Sequence, residues 1–140
     1  MPIIVKDVDN GRGVIFEGSG VLNTWEYVEA LKKHLTQDPQ IYKEFRYCLA
    51  DYTGVTKTDL NFELMWGIIK LAEKAYTVNP NMVVASVADS DAHYGVARMS
   101  ESLIEHVGWE FRVFRKREEA EAWLRAVVKD KYGIDDPILE

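Results

Sequence analysis

Within VADSDAHYGVARM (residues 87–99), Asp89, Ser90, Asp91 and His93 stand within five positions, followed by Tyr94 and Gly95, where a buried-looking strand gives way to helical spacing. A histidine oriented by a carboxylate can activate a serine as a nucleophile. An Asp-x-Asp pair can hold Mg²⁺ through oxygen ligands. Neighbours in sequence rarely meet the triad geometry, however, and no GxxxxGKS phosphate loop accompanies the aspartates. The reading preferred for Asp89, Ser90 and Asp91 is a turn that satisfies the free N–H groups of a helix start, with His93 exposed on the loop. His34 and His106 fall near expected helix C-termini, where an imidazolium is favourable, and no HxxxH or CxxC spacing marks a zinc site. Cys48, the only cysteine, lies in the apolar run YCLA and reads as a small buried hydrophobe. No catalytic residue, metal or cofactor is assigned.

Two further loops carry polar groups. Thr53-Gly54-Val55-Thr56-Lys57-Thr58-Asp59 precedes a long helix, with Thr58 or Asp59 as its cap, and Arg115-Lys116-Arg117 precedes the last one. The basic trio can bind phosphate or an acidic partner, but beside Glu118 and Glu119 it reads as a solvated turn.

The elements that place these loops follow from periodicity. Two β-rich runs, 3–8 and 13–18, flank Asn10-Gly11, residues that accept the positive φ of a tight hairpin. Asn23 and Glu26 form a capping box ahead of Trp25, Val28, Leu31 and Leu35, expected on one helix face that stops before Asp38-Pro39. FRYCLADYTG, MVVASVAD and WEFRVF read as strands. TKTDLNFELMWGIIKLAEKAY, SESLIEHVG and EEAEAWLRAVV read as helices, the first ended by Asn79-Pro80 and the second by Gly108. The order ββαβαβαβα implies an α/β fold: a mixed, mostly parallel five-stranded sheet with four helices in one domain over residues 1–140, residues 134–140 being a frayed tail. Ligands of such sheets bind beyond the strands' carboxyl ends, where the three loops converge.

Composition narrows the function classes. The 140 residues are 47% hydrophobic, and 17 Lys and Arg stand against 23 Asp and Glu, a net charge of −6. One core is expected, and nucleic acid or an anionic membrane is excluded as main partner. The N-terminus has only a short apolar run and no stretch reaches the roughly 18 apolar residues of a transmembrane segment, so a cytoplasmic protein is expected.

The element order, LADYTGV running into a long helix, the YGxARM run at 94–99 and FRxxxEAxxWL at 114–124 together resemble the SpoIIAA-like group of STAS domains across nearly the whole chain. The resemblance implies regulatory modules that bind partner proteins, or a branch proposed to carry small nonpolar molecules by likeness to CRAL-TRIO carriers. Anti-sigma antagonists place Asp-Ser-Ser-Gly at the start of the helix after the third strand, one serine accepting phosphate. Here Asp59-Leu60-Asn61-Phe62 stands there, so phosphate-controlled partner switching of the usual kind would need Thr56 or Thr58 instead.

The long helix also carries apolar residues round more than half its surface, including Leu60, Leu64, Met65, Trp66, Ile68, Ile69 and Leu71. A sheet cannot cover them all, so another helix, a second subunit or a ligand must. The leading expectation is a non-catalytic module capturing a small nonpolar molecule with Phe62, Met65, Trp66, Tyr94 and Met99. Its rim would be Thr56, Thr58, Asp59, Ser90, Asp91 and His93. The alternative is a STAS-type module docking a protein partner, a homodimer included.

Overall fold

The structure is a computed structural model that describes residues 2–140. Strand β1 (Ile3–Val8) turns through Asp9, Asn10 and Gly11, all at positive φ, into β2 (Gly13–Val21). Asn and Gly adopt this conformation readily. Asp9 is held in it because its carboxylate accepts from Arg12 and from the buried Tyr47 hydroxyl, each at 2.8 Å. Gly13 is required by contact: a Cβ there would lie 2.3 Å from the Tyr47 ring.

From β2 the chain alternates: α1 (Thr24–Gln37), a single turn α2 (Pro39–Tyr42), β3 (Tyr47–Lys57), α3 (Phe62–Val78), β4 (Val83–Val87), α4 (Asp91–Val107), β5 (Glu110–Phe114) and α5 (Arg117–Tyr132). The sheet order is β1-β2-β3-β4-β5, with β1 antiparallel to β2 and the remaining pairs parallel. This is the expected mixed α/β sheet with one helix more than the expected four. The addition is α2: Asp38 and Pro39 stop α1 but also start a turn, Asp38 accepting from the N–H groups of Gln40 and Ile41.

Alternation along the strands divides the interior in two. Val14, Phe16, Cys48, Ala50, Tyr52, Val84, Phe111 and Val113 face a layer of α1, α3 and α4, with α3 packed between the other two. Ile15, Tyr47, Leu49, Val83, Ala85 and Val87 face α5. One helix does not cover that second face. Residues 134–140, expected to fray, close it: Ile134 and Leu139 are buried, the Tyr47 hydroxyl accepts from Ile138 N–H and donates to an oxygen on Asp9 or Ile138, and Arg117 donates to the Leu139 carbonyl. Burial of the two aliphatic side chains on an otherwise bare sheet offsets the entropy of ordering the segment.

Helix α1 also departs from expectation. Its inward line runs through Thr24, Tyr27, Leu31 and Leu35, which leaves Trp25, one residue out of phase, 68% exposed.

Candidate functional site

The carboxyl end of the sheet is built by caps. Asp59, expected to cap α3, instead reaches across to α1 and accepts from both the backbone N–H and the hydroxyl of Thr24, each at 2.7 Å. Those bonds to its charged form hold its carboxyl below the usual carboxylate range. Asn61 takes the α3 cap, accepting from Leu64 N–H, while the Thr58 hydroxyl accepts from Leu60 N–H. Ser90 caps α4 through His93 N–H. At the other half of the α1 start, the Glu26 carboxylate accepts from Asn23 N–H as the sequence predicts.

Two of the groups that looked catalytic have structural partners. The Ser90 hydroxyl accepts from a backbone N–H, and Asp91 pairs with Arg115 at 2.7 Å. His93 sits in the first turn of α4, half-buried rather than exposed on a loop, its ring 5.8 Å from that of Tyr52. Desolvation lowers its pKa, with Asp89 opposing. The two arginines of the basic trio are likewise neutralised from within, while Lys116 is exposed. Arg115 lies over the Tyr94 ring at 4.3 Å, and Arg117 bonds Asp51, Glu17 and Glu121. Cys48 is buried with its thiol pushed up to about 12 by desolvation, so it is inert as a nucleophile. Among the described residues no group of three His, Cys, Asp or Glu is placed to hold a metal.

The residues proposed to line a pocket separate. Met65 is buried against the sheet, whereas Phe62 (47%), Trp66 (45%) and Met99 (48%) face outward. Phe62 and Trp66, one turn apart, meet edge to face with centroids 5.9 Å apart. Tyr94 is half-buried beneath Arg115. Of the rim residues, Thr58 and His93 border an internal cavity, Asp59, Ser90 and Asp91 serve as described above, and Thr56 is exposed. Leu64 and Val21 add exposed apolar surface at the same end of the sheet, where β2 and β3 finish side by side and Thr24 meets Asp59, whereas Trp25 lines an open groove between α1 and β1. Trp25 was expected inward with Val28, Leu31 and Leu35, but the helical phase of the inward Leu31 and Leu35 runs back to Thr24 and not to Trp25. The signal available was Thr24, whose hydroxyl fits the inward, capped position.

Two internal cavities lie between the sheet and the α1, α3 and α4 layer, of about 90 Å³ and about 60 Å³, sharing Tyr27, Tyr52, Ile68, Ser86, Ile104 and Phe111. Apart from Ile68, counted among the long helix's apolar positions, none of these was expected. The small pair Ala50 and Ser86, partners in the β3–β4 register on the helix-facing side, leaves the space.

Solved structures share this architecture. The anti-sigma factor antagonist SpoIIAA in its unphosphorylated form superposes with a TM-score of 0.53 at 13% identity, over 88% of this chain and 97% of that chain. An uncharacterized protein of the DUF3478 family with a SpoIIAA-like fold, from Shewanella loihica PV-4, superposes with a TM-score of 0.51 at 19% identity, over 87% of this chain and 91% of that one. No family model and no curated protein sequence matches the chain. The fold is therefore the SpoIIAA-like STAS fold that the sequence resembles.

Proposed function

We propose that the chain is a non-catalytic protein-docking module whose contact face is the carboxyl end of the sheet around the first turns of α3. The observation that carries this reading is the exposed Phe62–Trp66 pair, joined at the same end by Leu64 and Val21. Aromatic side chains fixed on a rigid helix anchor protein interfaces, because they bury much area and lose little rotamer entropy. A SpoIIAA-like fold, shared with a protein whose name describes antagonism of an anti-sigma factor, supports the same reading. The partner is a second protein presenting an apolar surface. Its docking is not switched by phosphate at the usual place, since Leu60 and Asn61 carry no hydroxyl. Nonpolar-ligand capture at Phe62, Trp66 and Met99 loses its basis, because those side chains point to solvent.

The test compares the wild type with Phe62→Glu/Trp66→Glu, both outward and tolerant of charge. Docking predicts proteins that co-purify stoichiometrically with the wild type and are absent from the variant, with unchanged circular dichroism. The same proteins recovered with both chains, or none with either, would overturn it. Concentration-dependent dimerisation abolished by the variant would identify a second copy as the occupant and overturn the partner named here.

A further inference from the structure

The cavities carry an inference separate from the docking face. Protein interiors are packed to the density of organic crystals, and voids larger than a water molecule are few. Here two adjoin, walled mainly by aliphatic and aromatic side chains. Of the polar side chains that line them, Tyr52 is left unsatisfied: it is 5% exposed, lines both cavities, and its hydroxyl has no hydrogen-bond partner among the described residues. Buried polar groups are almost always satisfied, so an orphaned one beside an empty volume marks where a partner belongs. The Tyr27 ring lies 5.3 Å away, yet no hydrogen bond reaches the Tyr52 oxygen. Desolvation raises both phenols, Tyr27 to about 12; the neighbouring Tyr27 adds to the rise at Tyr52, whereas the Tyr52 hydroxyl pulls Tyr27 the other way. Both therefore stay protonated near neutrality, and Tyr52 offers a donor to an acceptor atom. Ser86 borders the same junction with a second hydroxyl.

Size and charge define the ligand. Each cavity is smaller than the roughly 150 Å³ apolar cavity that admits benzene, and the two together approach it. A long acyl chain does not fit. No Asp, Glu, Lys or Arg lines either cavity; the imidazoles that do are His34 in the larger, which pairs with Asp7 at 3.1 Å, and His93 in the smaller, whose neutral form burial favours. We infer that the joined cavities bind a small neutral molecule of single-ring size bearing one oxygen, apolar body against Ile68, Ile104 and Phe111, oxygen toward the Tyr52 hydroxyl. Entry runs past Leu60 and His93, the half-buried border of the smaller cavity.

Titration of the purified chain with 4-methylphenol, benzene and dodecanoate, followed by calorimetry and by amide and methyl resonances, tests this. The expected result is one saturable site for 4-methylphenol, with shifts centred on Ala50, Ser86 and Ile104, and no site there for dodecanoate. Tyr52→Phe, which keeps the ring, is expected to weaken 4-methylphenol about tenfold while leaving benzene unchanged. Ala50→Val, which fills the void, is expected to abolish both. Trp66→Glu is expected to change neither, so failure here and failure of docking are separate results. No saturation by 4-methylphenol, binding indifferent to Tyr52→Phe and Ala50→Val, or shifts confined to Phe62 and Trp66 would each overturn the inference.

Discussion

Contact with Tyr52 and enclosure in the first turn of α4 set the chemistry of His93. Burial disfavours its imidazolium, and the attraction of Asp89 does not make good the loss, so its pKa in the fold lies below the histidine norm. Well above about pH 6.5 both folded and unfolded chains carry it neutral and it adds no pH dependence. As the pH drops through that value the unfolded chain takes up the proton first, and stability falls until the folded-state pKa is passed as well. The urea midpoint should therefore decrease between about pH 7.5 and pH 5, and His93→Gln should flatten part of that decrease. Parallel slopes for the two proteins would show that the imidazole is solvated.

At the scale of elements, strand alternation and caps were readable where one residue type had one inexpensive role. Asn23 with Glu26, Asn79-Pro80 and Gly108 all bound helices where expected. Asp59 was misplaced because a carboxylate at a helix start serves whichever N–H groups lie nearest in space, and Thr24 is thirty-five positions away. Outward and inward aromatics in α3 were likewise indistinguishable, since Met65 and Trp66 differ by one step of a helix whose apolar stripe is wide. The tail misled for a related reason: Asp135-Asp136-Pro137 reads as solvated, while the hydrophobic positions around it dock. Leu139→Ala should cost about 2 kcal/mol in urea unfolding, the low end for a buried leucine because a chain end relaxes easily. An unchanged midpoint would return the segment to a frayed tail.

Across the whole molecule, the two sheet faces do different work. The α5 face is closed by Ala120, Leu124, Val128 and the tail, with Tyr47 at its edge tying the hairpin to the C-terminal segment. The opposite face carries three helices, two voids beneath them and exposed aromatics at their N-terminal end. Loosely filled inside and apolar outside, this face has the surplus that a lone sheet cannot shield, and α3 presents it at both surfaces. The reach of a docked partner is read most directly by a photo-reactive phenylalanine analogue placed at position 66, with a control at position 129 on α5, in cells that make the protein. Docking predicts a discrete covalent adduct to another protein from position 66 and none from position 129. Equal yields from both positions, or adducts from neither, would contradict it.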